Sequence, residues 1–167
     1  MKTILITGGL GFIGSNFVRY VLAKYDDIKL INLDSMTYAA NPQNLRGVEN
    51  EYPGRYIFVK GDICDPVIVE KMFQEFNPES VVNFAAESHV DRSIDDPNVF
   101  IKTNVLGTAT LLNSARKFWK NDIAGKRFLQ MIRSRRDTMK IIIEVEECRA
   151  ESHLLPWLFL WENLRTT

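Results

Sequence analysis

The sequence predicts an α/β domain built on a doubly wound parallel sheet, and three observations carry that prediction. The apolar run Ile4 to Thr7 leads directly into glycines at positions 8, 11 and 14. Short β-branched runs then alternate with longer stretches of helical spacing as far as Gln130. A second apolar run ends in a carboxylate, Asp34, 20 residues after Gly14. Parallel strands need crossover connections, these crossovers are right-handed, and such sheets bind ligands beyond the carboxyl ends of their strands.

Taken in order, Lys2 to Thr7 reads as a buried strand and Gly8 to Gly14 as the turn after it. A side chain at Gly8 or Gly11 would hold the backbone away from a phosphate, and Gly14 lets the next helix lie close on the strand. Phe12 to Tyr25 has helical periodicity, so its unpaired N–H groups and positive dipole end face the same place. Lys29 to Asp34 and Tyr56 to Lys60 read as the second and third strands. Pro66 to Phe76 reads as a helix with its proline early, where a missing N–H costs little. Ser80 to Phe84 is the fourth strand, Asn98 to Lys120 a long helix, and Arg127 to Gln130 the fifth strand.

Composition excludes several function classes. With 167 residues, 46% of them hydrophobic and 25% charged, the chain can build one domain with a substantial core. The net charge is zero and Lys and Arg are scattered, which argues against nucleic acid as a partner. No apolar stretch approaches the length of a membrane span and no secretory leader precedes Lys2, so the expectation is a cytoplasmic protein without a membrane partner. Cys64 and Cys148 lack any CxxC or His-rich neighbourhood, which predicts reduced thiols and no metal site.

The candidate ligand residues follow the strands. Asp34 is placed to accept both hydroxyls of a ribose, and its charge would repel a ribose phosphate, so NAD is favoured over NADP. Asp62, with Ile63 packed on the ring, either takes an adenine amino group or belongs to the N-cap region of the helix opened by Pro66. Small Ala85 and Ala86 leave room for a cofactor across the end of the fourth strand. Glu87, Ser88, His89, Asp91 and Arg92 form a dense polar segment after it, read as substrate-facing. The alternative for this segment is a solvated helix N-terminus, with Asp95 and Asp96 answering the dipole.

Together Thr7-Gly-Gly-Leu-Gly-Phe-Ile-Gly14, Asp34, Gly61-Asp-Ile63, Ala85-Ala-Glu-Ser-His-Val-Asp-Arg-Ser93 and Asn104-Val-Leu-Gly-Thr108 resemble the extended short-chain dehydrogenase/reductase family. The likeness covers about residues 1 to 130 and is strongest, through Ala-Glu-Ser-His-Val-Asp-Arg-Ser, to its sugar-nucleotide dehydratases rather than its epimerases. It implies a Rossmann-like NAD-binding domain, a nucleotide-sugar substrate, and an assembly that is a homodimer in full-length members. The implied reaction oxidises a hexose at C4, eliminates water across C5 and C6, and reduces C6. Oxidation comes first because a C4 ketone acidifies the C5 proton. By this resemblance Gly8, Gly11, Phe12, Ile13 and Gly14 hold the pyrophosphate and Asp34 the adenosine ribose. Asp62 and Ile63 take the adenine, and Ala85 and Ala86 lie on the nicotinamide side. Ser88, His89 and Asp91 line the sugar pocket, and Asn104 supports the site from its helix.

The pattern departs from the family after Gln130. A Ser-Thr-Asp-Glu run and a later Tyr-x-x-x-Lys are expected there, yet Met-Ile-Arg-Ser-Arg-Arg136 follows and no tyrosine occurs after Tyr56. Three Tyr-x-x-x-Lys spacings exist, at Tyr20 with Lys24, Tyr25 with Lys29 and Tyr56 with Lys60. All read as decoys: the first is in the glycine-turn helix, the second leads into a strand, and four strand residues would part the third by about 13 Å. No catalytic residue is therefore assigned. All 9 glycines precede position 131 and the last 37 residues have none. The expectation is a partial NAD-binding domain over 1–130 and an atypical tail over 131–167, read out of frame from about Met131, which resequencing the coding region tests. Within that tail Met139 to Val145 reads as a substitute edge strand, and Leu154 to Trp161 as a core helix or edge strand that, if unpacked, is an aggregation liability.

Overall fold

The computed structural model describes residues 1–88, 96–133 and 139–144. Six strands form one sheet: β1 (Lys2–Thr7), β2 (Ile28–Asp34), β3 (Tyr56–Lys60), β4 (Ser80–Asn83), β5 (Arg127–Arg133) and β6 (Met139–Glu144). Their spatial order is β3-β2-β1-β4-β5-β6, with β1 to β5 parallel and β6 antiparallel to β5. This is the doubly wound sheet expected from the sequence. Its strand order reverses at β1, so the crevice between the exits of β1 and β4 is the switch point where such sheets take ligands.

Alternation along the strands divides the core. Ile4, Ile6, Leu30 and Val82 face α1 (Phe12–Lys24), where Phe17, Val18, Val21 and Leu22 pack on them. Leu5, Ile31, Leu33, Val81 and Phe128 face the other way, onto α3 (Pro66–Phe76) and α5 (Thr108–Trp119). Both faces are apolar because parallel strands are covered on both sides. Asp65 caps α3 by accepting the Val67 and Ile68 N–H groups, and Asn77 ends it in the left-handed conformation at φ 42°.

Several boundaries differ from the sequence-based expectation. The predicted helix Asn98 to Lys120 is three segments: α4 (Pro97–Phe100), a π-helical stretch Ile101–Gly107, and α5. Gly107 ends the π-helical stretch where the helix runs close to the loop after β3: a Cβ there would stand 2.6 Å from the Ile63 side chain. Between β2 and β3 the chain forms a 3₁₀ turn Pro42–Leu45 and a short helix α2 (Val48–Glu51). Their few residues carry too little periodicity to be seen in sequence. β5 runs on to Arg133, past the expected end at Gln130, because β6 pairs with it from Leu129 to Arg133. The edge strand expected at Met139 to Val145 is β6. Leu154 to Trp161 lies outside the described residues.

Candidate functional site

The carboxyl ends of the parallel strands are stitched into one edge. Gly8 N–H donates to Leu33 O, Gly61 N–H to Asp34 O and Phe84 N–H to Thr7 O, each at 3.0 Å. Gly8 leaves β1 at φ +68°, and a Cβ on it would stand 2.6 Å from Ala85 N. The turn therefore presses backbone to backbone against the exit of β4. Gly14 has no room either, its would-be side chain meeting Gly8 O and Gly9 Cα. Gly11 is the N-cap of α1, with no side chain capping the helix and no acidic residue in its first turn. That terminus keeps its donors and its positive end for an anion. Phe12 is 81% exposed and Ile13 37%, so what they offer on this edge is main-chain N–H at the first turn.

Asp34 is buried at the end of β2 and binds the glycine turn itself. Its Oδ2 accepts the Leu10 N–H at 2.9 Å and its Oδ1 the Met36 N–H at 2.8 Å. An ionised carboxylate has about four acceptor positions, so two remain open beyond these bonds. Asp62 Oδ1 accepts the Cys64 N–H at 2.9 Å, closing the turn before α3, while Asp65 does the capping. Ile63 departs from the expected packing on adenine: its side chain is 4% exposed and sits in the core under Gly107. Gly107 requires that position, which leaves only the main chain of Ile63 for a ligand. Burial pushes the Cys64 thiol up to about 11, so it is no nucleophile near neutral pH.

After β4, Ala85 is half-buried and Ala86 and Ser88 are exposed. Glu87 is held at three points. Asn104 Oδ1 accepts its N–H and Asn104 Nδ2 donates to its carbonyl, both at 2.8 Å, and the Tyr38 hydroxyl donates to Glu87 Oε2 at 3.0 Å. Asn104 makes both bonds from the π-helical stretch. His89, Asp91, Arg92 and Asp95 lie outside the described residues.

Sequence reasoning missed the polar residues beneath the site. Asn32 Oδ1 accepts the Gly9 N–H at 3.1 Å and its Nδ2 donates to the Tyr56 hydroxyl at 2.8 Å. Thr7 donates to Asn83 Oδ1, and Asn83 Nδ2 donates to Gln130 Oε1 at 2.7 Å, joining β1, β4 and β5 across their ends. The signal was present: Asn32 and Asn83 are amides inside otherwise apolar strands, where a polar group needs a partner.

The Tyr-x-x-x-Lys decoys are structural. Tyr56 is buried at the amino end of β3, where burial pushes its hydroxyl up to about 12. Lys29 pairs with Thr3 near the amino ends of β2 and β1, at the edge opposite the glycine turn. Tyr20 and Lys24 meet at 2.6 Å on the exposed side of α1. Among the described residues no group of three or more His, Cys, Asp or Glu is placed to hold a metal, and no helix is long and apolar enough to cross a membrane.

Residues 5–134 match the GDP-mannose 4,6 dehydratase family. The chain belongs to that family. Within it, a dTDP-glucose 4,6-dehydratase from Xanthomonas campestris pv. campestris (strain B100) is 51% identical over 120 residues, 72% of this chain and 33% of the relative. The Haemophilus influenzae dTDP-glucose 4,6-dehydratase is 50% identical over 119 residues, 71% of this chain and 34% of that protein. The dTDP-glucose 4,6-dehydratase DesIV of Streptomyces venezuelae, crystallised with NAD and TYD bound, superposes with a TM-score of 0.64 at 46% identity, over 70% of this chain and 36% of its own. A UDP-glucose 4-epimerase from Thermotoga maritima shares the fold at 30% identity and a TM-score of 0.61, over 70% of this chain and 34% of that one. The chain thus spans about a third of the length of the dehydratases it matches.

Proposed function

We propose that this chain carries the NAD-binding part of a dTDP-glucose 4,6-dehydratase and, alone, binds the dinucleotide without turning over a sugar. The observation that carries the reading is the close-packed turn Gly8 to Gly14 at the β1 exit, anchored to the Asp34 carboxylate through Leu10 N–H. The cradle fits a pyrophosphate, since every position where a side chain would intrude is glycine and the α1 terminus keeps its donors. NAD supplies the reversible two-electron oxidation of a sugar carbinol in this reaction class.

The chain's own residues divide the remaining work. Gly8, Gly11 and Gly14 keep the backbone low, and the N–H groups of Phe12 and Ile13 face the pyrophosphate. Asp34 accepts the adenosine ribose hydroxyls and repels a 2′-phosphate. Asp62 and the main chain at Ile63 meet the adenine, and Ala85 and Ala86 leave space for the nicotinamide. Ser88, His89 and Asp91 belong to the sugar pocket, and Asn104 fixes the backbone ahead of them by its pair of bonds to Glu87.

Binding without turnover is favoured by one specific observation. The strand β5, which in this reading should deliver a Thr-Asp-Glu set, continues instead as Met131, Ile132 and Arg133 and pairs with β6. Domain boundaries at about 130, with 131–167 as an atypical and out-of-frame tail, belong to the same proposal. Isothermal titration of the purified chain with NAD and NADP, followed by a dehydratase assay on dTDP-glucose, tests it. Expected are binding of NAD, binding of NADP at least tenfold weaker, and no product. Equal affinity for the two dinucleotides would remove Asp34 from the proposed role, and turnover would overturn the non-catalytic reading.

A further inference from the structure

Two loops that leave strands on opposite sides of β1 meet above its exit. The loop after β2 turns back on itself at Met36, which holds φ +57° while its N–H donates to Asp34. That reversal brings Tyr38 to Glu87, whose hydroxyl–carboxylate bond is 3.0 Å. Glu87 sits four residues beyond the end of β4, its backbone N–H and C=O both fixed by Asn104. In the strand order β2-β1-β4 the joined loops exit about 10 Å apart, two strand spacings. The glycine turn is between them. The Tyr38–Glu87 bond therefore spans the switch-point crevice from side to side, tying the Asp34 side to the Ala85–Ala86 side.

We propose that Tyr38 and Glu87 are positioning residues that strap a dinucleotide into this crevice and slow its release. The inference rests on the NAD-binding reading and adds the residues that set retention. Neither side chain has to touch the ligand. The bond closes the crevice over the turn, and leaving then requires the strap to open. Asn104 makes this possible by holding the Glu87 backbone, so the carboxylate is presented at a fixed height. With Tyr38 48% exposed, the bond contributes little to the ligand-free fold and acts chiefly on exchange.

The test is a stopped-flow chase on the full chain, with NADH displaced by excess NAD and its fluorescence followed. Tyr38→Phe and Glu87→Ala are each expected to raise the NADH dissociation rate about fivefold, the effect of one charge-assisted hydrogen bond at a partly exposed site. Glu87→Gln keeps an acceptor oxygen and should stay within about twofold of the parent. The double variant Tyr38→Phe with Glu87→Ala should be no faster than either single one, since both remove one bond. Ligand-free melting should fall by no more than about 2–4 °C, the shift that losing one such bond allows in a chain of this size, and a larger fall would mark the pair as a structural prop and overturn the strap. NADH release at the parent rate from Tyr38→Phe, or additive effects in the double variant, would overturn the strap and leave the NAD reading intact. No NADH binding by the parent chain would overturn both.

Discussion

Gly8 is where sequence, backbone geometry and binding meet most tightly. Its φ of +68° and the 2.6 Å approach of a would-be Cβ to Ala85 N leave no L side chain a comfortable place. Gly8→Ala should destabilise the fold by about 1–3 kcal/mol and abolish any NAD-induced rise in melting temperature, read from melts with and without NAD. Asp34 has a different dependence. Asp34→Asn puts an amide NH₂ against one of the two N–H groups that the carboxylate accepts, Leu10 or Met36. Titration calorimetry should show NAD affinity falling at least tenfold, with a stability loss of about 1–3 kcal/mol. Tyr56 supplies a pH test. Its hydroxyl is raised to about 12 by burial, above a reference value near 10. A raised folded value means the stabilising contribution is complete below pH 10 and is lost as pH climbs from 10 to 12. Tyr56→Phe should flatten that alkaline decline in a urea-melt series, while lowering stability at neutral pH because Asn32 Nδ2 loses its acceptor.

Elements show why some of the architecture was legible in sequence and some was not. The strands β1 to β5 and the helices α1 and α3 were readable because Ile4, Leu5 and Ile6 alternate between two buried layers and Phe17, Val18, Val21 and Leu22 fall on one face. Pro66 marked the start of α3 through proline geometry, and Asp65 is the residue that caps it. Asp65→Ala should therefore cost about 1 kcal/mol in chemical denaturation, with NAD affinity unchanged. The π-helical stretch Ile101–Gly107 was not readable. Apolar spacing does not separate an α-turn from a π-turn, and the Gly107 end of the stretch packs on Ile63, more than forty residues away in sequence. The same long-range contact puts the Ile63 side chain in the core and leaves its main chain for the proposed adenine contact. The glycine turn and Asp34 were legible because their chemistry is confined to one turn and one strand end. The Tyr38–Glu87 bond and the Asn32 and Asn83 networks join residues from 23 to 76 positions apart, and only the assembled sheet brings them together.

At the scale of the whole molecule, the parallel strands present the glycine turn, Asp34 and the Ala85–Ala86 segment on a single edge, while the stretch past Gln130 adds an antiparallel strand to the far side. β6 covers the β5 edge that a five-stranded sheet would expose, which protects the fold without contributing to the switch point three strands away. The proposed function requires this edge to be a folded, working dinucleotide site in a chain that spans a third of its dehydratase relatives. A thermal melt of the purified chain with and without millimolar NAD tests that requirement. One cooperative transition is expected, rising by about 5–10 °C at roughly a hundredfold excess of NAD over its Kd. A transition that NAD leaves in place, or no cooperative transition at all, would contradict it.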